Sequence, residues 1–167
     1  MLSMMLLLKS ALFSVAEVRF VLSIVLNEND ESESAFAQLG EAINVCKQAV
    51  DDGHRSGEMY DLLCKCYSKA AELLIQQGQS EEAGLALRKS IALRESWLDD
   101  DSSSRRDLRG LADNCLDLGE LDEAAGRLES AAANFQGAET AFRRLLELAP
   151  GERFYQHKVV VCRIEAA

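Results

Sequence analysis

The chain of 167 residues is long enough for one ordinary domain or for a short array of helical repeats. Its apolar fraction of 48% is that of a folded protein, which excludes disorder over most of its length. The chain contains one proline, Pro150, and few β-branched or aromatic residues, so its composition predicts an all-α protein. The formal net charge of −10 disfavours binding to a phosphate backbone, and we therefore expect no nucleic-acid partner.

Residues 1–26 are the most apolar stretch of the chain. Lys9, Glu17 and Arg19 interrupt it, and a charge at the centre of a bilayer costs about 3 kcal/mol on insertion scales. No basic region precedes the apolar run, as a signal peptide would require. We predict that residues 1–27 form a helix that packs on or caps the other helices, without membrane contact. Two alternatives remain open: residues 1–26 could mediate self-association or lie on a membrane surface, or they could span a membrane.

The apolar periodicity of the remaining chain predicts seven more helices, making about eight in all. Their predicted ranges are about 34–50, 57–77, 80–98, 104–119, 121–134, 135–149 and 152–164. Gly53, Gly78 and Gly119 are the predicted helix ends, because glycine readily adopts the left-handed conformation that follows a helix. Ser80, with two acidic residues after it, is a predicted helix start.

Two of the predicted turns share one spacing. Ala83 and Leu87 follow Gly78 at the same intervals at which Ala124 and Leu128 follow Gly119, and the two turns lie 41 residues apart. An internal repeat with a period of this size is typical of a helical solenoid, in which each helix hairpin buries its apolar side against its neighbours.

The large and small residues around these turns resemble the tetratricopeptide repeat. The residues of the first copy are Tyr67, Ala71, Leu74, Gly78, Ala83, Leu87 and Ser90, and those of the second are Leu108, Ala112, Cys115, Gly119, Ala124, Leu128 and Ala131. The resemblance covers roughly residues 57–150 and implies a right-handed superhelical solenoid of antiparallel hairpins over residues 34–167. The period of 41 is longer than the usual 34, and neither copy has the closing proline. Residues 135–150 look like a second helix of a repeat, although strict alternation makes them a first helix.

The resemblance implies a non-catalytic scaffold that binds a protein or peptide in a concave groove lined by the first helices. Carried onto this sequence, the groove residues are Lys65, Ser68, Glu72, Ile75 and Gln76 in one repeat and Arg106, Arg109, Asp113, Leu116 and Asp117 in the next. Family members that bind the carboxyl-terminal tail of chaperones have an asparagine where this chain has Glu72 and Asp113. Because an acidic residue repels a carboxylate, we expect instead a peptide with basic and apolar side chains.

Three interpretations remain open at this point. The chain is an interaction module, alone or as part of a larger signalling protein or kinase; or it is a structural protein that self-assembles through its apolar first helix; or it is an enzyme with an unrecognised groove. No phosphate-binding glycine loop, zinc-protease motif or serine-hydrolase motif is present, so we expect no catalysis and no cofactor.

The five cysteines do not form a disulfide framework. They are Cys46, Cys64, Cys66, Cys115 and Cys162, all within predicted helices, which predicts small buried side chains in a reducing, cytoplasmic compartment. Cys64 and Cys66 lie two residues apart, so on a helix they point about 200° apart and cannot share a metal ion. One is expected in the core and the other at its edge. The two histidines, His54 and His157, complete no metal site.

Overall fold

The structure, a computed structural model, describes residues 2–53, 56–98 and 105–166. These residues form seven α-helices and no strand, which confirms the all-α prediction and shows that the predicted count of eight helices is wrong. The helices are α1 (Leu2–Glu28), α2 (Ser32–Asp51), α3 (Gly57–Gln76), α4 (Ser80–Leu98), α5 (Arg105–Ala124), α6 (Leu128–Leu148) and α7 (Arg153–Glu165).

The helices belong to two compact units, divided between Gln79 and Ser80. The first unit contains α1, α2 and α3, and the second contains α4 to α7. Within each unit, neighbouring helices pack in pairs. The predicted hairpin over residues 57–98 joins a helix of the first unit to a helix of the second, so that pairing stays a prediction.

In the first unit, α1 packs on α2 through small residues. Ala16 and Ser23 of α1 and Ala42 of α2 are fully buried, since small side chains let two helix axes approach closely. Nη1 of Arg19 donates a 2.8 Å hydrogen bond to Oε1 of Gln38, which ties the two helices together. Residues Leu7–Glu28 of α1 are also long and apolar enough to cross a membrane, by length and composition only.

The second unit is built around aromatic and leucine side chains. Phe135, Phe142 and Leu145 of α6 are almost completely buried, together with Leu108 of α5. The rings of Phe142 and Tyr155 lie 6.2 Å apart between their centroids, which places α7 against α6. Each unit therefore has buried apolar side chains of its own.

A buried carboxylate joins the end of α5 to the start of α6. Asp122 is fully buried, and its side chain accepts hydrogen bonds from Nε of Arg127 at 2.8 Å and Nδ2 of Asn134 at 2.9 Å, as well as from the hydroxyl of Ser130. Burial raises the pKa of Asp122, but the hydrogen bonds from Ser130 and Arg127 outweigh it, and the pKa is lowered. Asp122 is therefore a charged structural residue that fixes this turn.

The predicted helix end at Gly119 is wrong. Helix α5 continues to Ala124, and the chain turns at Gly126, whose φ of +75° is left-handed. Helix α6 is then continuous from Leu128 to Leu148, so the predicted helices 121–134 and 135–149 are one element. Gly119 is needed for packing rather than for a turn, because a Cβ atom there would lie 2.6 Å from the ring of Phe135.

The helix boundaries repeat every 48 residues. Helices α2, α4 and α6 begin at residues 32, 80 and 128. Helices α3 and α7 begin at residues 57 and 153, twice this interval apart. The left-handed turn residues Asp30, Gly78 and Gly126 have the same spacing. The period is thus 48 residues rather than the predicted 41. The difference of seven residues is about two helical turns, which preserves the apolar face of a helix and explains the mistaken register.

Four buried positions recur in each repeat. In chain order they are Ser23, Ala35, Leu39 and Ala42, then Ala71, Ala83, Leu87 and Ser90, then Gly119, Ala131, Phe135 and Ala138. The pattern is a small residue on the first helix, followed by alanine, a bulky residue and a small residue on the second. The second of these sets agrees with the sequence assignment. The third set corrects the predicted positions of the second copy: Ala124 and Leu128 were predicted there, but both are exposed.

Candidate partner-binding surfaces

Four of the predicted groove residues lie along one exposed stripe of α5. Arg106, Arg109, Asp113 and Asp117 follow one another at spacings of three or four residues, so they share one side of the helix. Leu116 does not belong to this stripe: it is only 7% exposed and packs in the core of the second unit. The α5 stripe is basic at its start and acidic toward its end.

An exposed aromatic ring of α7 lies beside the α5 stripe. Phe154 is 42% exposed, and the guanidinium carbon of Arg109 lies 5.0 Å from its ring centroid. Nζ of Lys158 lies 5.9 Å from the same centroid. Both distances allow cation–π attraction. The edge-to-face contact with Phe142, at 6.5 Å between centroids, holds the ring against the core, so Phe154 has both a fixed position and an open face.

Arg109 and Asp113 of the α5 stripe form a loose ion pair. Nε of Arg109 lies 3.6 Å from a carboxylate oxygen of Asp113, and about half of each side chain is exposed. Exposed ion pairs of this kind contribute little to stability, because water screens both charges. Exchange of this pair for a ligand charge would therefore cost little.

In the first unit, the other five predicted groove residues lie along α3. Nζ of Lys65 lies 2.7 Å from Asp61, and Glu72 pairs with Lys69 at 2.7 Å. The hydroxyl of Ser68 donates to the carbonyl of Cys64 at 3.0 Å, one helical turn earlier. Ile75 is 42% exposed and Gln76 is exposed as well. This surface of α3 carries mixed charge and one apolar side chain.

The 48-residue period changes which α5 residues are equivalent to the α3 residues. The equivalents of Lys65, Ser68, Glu72, Ile75 and Gln76 are Asp113, Leu116, Glu120, Glu123 and Ala124. Arg106, Arg109 and Asp117 are thus exposed neighbours of those positions rather than repeat equivalents. Sequence reasoning missed Glu120 and Glu123 because of the seven-residue error. It missed Phe154 because nothing in the sequence shows which of two adjacent aromatic residues is buried.

The structure offers no metal site among the residues it describes. No group of three or more histidine, cysteine or acidic side chains could hold an ion there. Cys64 and Cys66 are both buried, at 3% and 0% exposure, so the expectation that one lies at the edge of the core is wrong. His157 is exposed on α7, and His54 lies outside the described residues.

Comparison with protein-family models gave no match for this chain, and comparison with curated proteins gave none either. The resemblance to tetratricopeptide repeats therefore depends on the residues and helix boundaries of the chain itself.

Proposed function

We propose that this protein is a non-catalytic scaffold that binds a peptide or protein partner along the exposed faces of its first helices. The observation that carries the proposal is the exposed ring of Phe154, fixed against the core and flanked by Arg109 of the α5 stripe. Aromatic and arginine side chains are the residues that most often dominate binding energy at protein interfaces. The predicted α3 residues of the first unit are a separate candidate binding surface.

The helix repeat supports a tetratricopeptide-like solenoid as the architecture of the scaffold. Its period of 48 residues recurs in helix starts and left-handed turns, and a small residue, an alanine, a bulky residue and a small residue recur with it. Repeats of this kind bury a shared core between neighbours and leave one side of each first helix for binding. The proposed architecture thus accounts for the exposed polar stripe on α5.

The acidic residues in the second half of α5 favour a partner with basic and apolar side chains. Asp113, Asp117 and Glu120 would attract a basic residue of the ligand, and the ring of Phe154 offers an apolar contact. We propose no nucleic-acid partner, since the chain carries a formal net charge of −10. Five buried cysteines, none of them in a disulfide, support a reducing, cytoplasmic location.

A peptide-binding screen with matched variants tests the proposal. Peptides with alternating basic and apolar residues are selected on the immobilised protein, and the best binder is titrated against Phe154→Ala and Leu128→Ala. Leu128 is the control because it is 67% exposed in the same unit but lies outside the α5 stripe and α7. Phe154→Ala should weaken binding by about tenfold or more, as loss of an aromatic anchor does. Equal affinity for both variants would remove Phe154 from the binding surface.

A further inference from the structure

Helix α1 carries a continuous apolar stripe that none of the described residues of the first unit covers. Its members are Leu8, Ala11, Val15, Val18, Leu22 and Val25, all exposed. Val18 is 66% exposed and Leu8 is 52% exposed. The spacings of three and four residues alternate, as they do in the seam of a coiled coil. Monomeric soluble proteins seldom expose an apolar surface of this length.

The repeat shows what normally covers this stripe. Val15, Val18 and Leu22 of α1 correspond, at 48-residue steps, to Leu63, Cys66 and Ala70 of α3 and to Leu111, Asn114 and Leu118 of α5. On α3 this side faces the preceding helix, because the Cys66 thiol is hydrogen-bonded to that of Cys46 on α2. On α5 it also faces the preceding helix, because Nδ2 of Asn114 donates to Oγ of Ser90 on α4 at 2.6 Å.

In the second unit, α4 covers the equivalent side of α5 and runs antiparallel to it. Arg94 and Ser90 of α4 contact Asp107 and Asn114 of α5, so partner numbers fall on one helix as they rise on the other. The stripe on α1 is therefore equivalent to the side of α3 that packs on α2 and to the side of α5 that packs on α4. An antiparallel helix is the element that fits it.

We propose that the occupant is α1 of a second copy, packed antiparallel about a two-fold axis between Val15 and Val18. In that register Val15 faces Val18, Leu8 faces Val25, and Ala11 faces Leu22 of the other copy. Each pair of facing residues then has a similar total volume, because the large Leu22 packs against the small Ala11. A parallel pair would place Ala11 against Ala11 and Leu22 against Leu22, which leaves a gap in one layer and crowds another.

Charge also favours a second copy at this place. The whole chain carries −10, so two copies repel each other over most of their surface. Residues 2–26 carry two basic side chains, Lys9 and Arg19, against one acidic side chain, Glu17. The α1 stripe residues from Leu8 to Val25 are all uncharged, so two copies that meet on this surface bring together far less charge than the −10 of each whole chain.

The interface goes beyond the proposed peptide binding and is tested separately, by light scattering on the full chain over a roughly hundredfold range of concentration. The chain should have a mass of about 37 kDa, twice the 18.4 kDa of one copy. Val18→Glu should give the monomer mass with unchanged helicity, since Val18 is exposed. Leu85→Glu, at a 56% exposed leucine of α4, is the control and should stay dimeric. A monomer at every concentration overturns the proposal.

A charge exchange tests the antiparallel register. Ala11→Glu and Leu22→Lys should each weaken the dimer by at least tenfold, and the double variant should recover most of the loss, because Glu at 11 then faces Lys at 22 of the other copy. In a parallel dimer the double variant would be the weakest, which would overturn the register.

Binding to anionic vesicles distinguishes the membrane alternative. If the chain is monomeric and Val18→Glu abolishes vesicle binding, the stripe binds lipid and the dimer proposal fails.

Discussion

A Cβ atom added to Gly119 on α5 would lie 2.6 Å from the ring of Phe135 on α6. Relaxed contacts between carbon atoms are about 3.5–4.0 Å, so only glycine allows the two helices to approach so closely here. Phe135 is 2% exposed within the core of the second unit, which leaves its ring little room to move. This contact explains why α5 continues through a residue of poor helix propensity: tertiary packing outweighs the local preference.

Gly119→Ala should therefore destabilise the protein. Overpacking of this kind lowers the free energy of unfolding by about 1–3 kcal/mol, which urea denaturation followed by circular dichroism would measure. Gly40→Ala is the matched control, since Gly40 lies within α2 and an added Cβ meets nothing within 4 Å. The control should gain up to about 1 kcal/mol from helix propensity. If both variants were equally stable, Gly119 would not be a packing residue.

The same glycine shows how far the sequence determines the fold. The turn at Gly78 and the helix start at Ser80 were both predictable, because glycine, serine and acidic residues act locally at helix ends. Gly119 is followed by a similar acidic and apolar sequence, yet the chain turns at Gly126. Local composition cannot distinguish these two glycines. The contact with Phe135 distinguishes them, and it exists only after the helices have packed.

Loss of the Asp122 carboxylate should destabilise the second unit. Asp122→Ala removes the acceptor for Arg127, Ser130 and Asn134 at the α5–α6 turn. A hydrogen bond to a charged group contributes about 1.5–3 kcal/mol, and the loss is measurable as a lower urea midpoint. Glu120→Ala, on an exposed residue of the same helix, is the control and should change stability by less than about 0.5 kcal/mol. An equal effect of the two variants would contradict a structural role for Asp122.

Asp122 should also make stability depend on pH. The pKa of Asp122 is lowered in the folded state because hydrogen bonds from Ser130 and Arg127 outweigh the effect of burial. Its contribution is therefore present above the unfolded pKa of about 3.9 and is lost as the pH falls through the lower folded pKa. Asp122→Asn should flatten this part of the stability profile between about pH 5 and pH 2. If the free energy of unfolding fell equally steeply with pH in the wild type and in the variant, other carboxylates would be responsible for the acid sensitivity.

The cysteines should react slowly in the folded protein. All five are buried, and burial raises the pKa of Cys115 to about 12. The hydrogen bond between Cys66 and Cys46, together with burial, raises the pKa of Cys66. The same hydrogen bond lowers the pKa of Cys46, whose full burial keeps reagents away from its thiol. Since the thiolate is the reactive form, a disulfide reagent at neutral pH should titrate five thiols in denaturant and almost none quickly without it. A rapidly reacting thiol in the native protein would show that one helix pair opens locally.

The proposed binding surface was less predictable than the fold. The exposed side of α5 follows from the spacing of Arg109, Asp113 and Asp117, since polar residues at three- and four-residue intervals face water. The exposure of Phe154 could not be predicted from the sequence, because Phe154 and Tyr155 are adjacent and either could have been buried. Both rings contact Phe142, and only the folded structure shows that Tyr155 is 7% exposed whereas Phe154 is 42% exposed.

Charge reversal tests the acidic part of the binding surfaces. Asp113→Lys should weaken a basic and apolar peptide bound at the α5 stripe, and Glu72→Lys one bound along α3, each by about fivefold, which corresponds to about 1 kcal/mol for an exposed charge. The loss should shrink at high salt. Calorimetric titration measures both. Glu147→Lys makes the same change in net charge at an exposed residue of α6 and should leave affinity unaltered. Unchanged affinity in either test variant would remove that residue from the site, whereas an equal loss in the control would mean that only the overall charge matters.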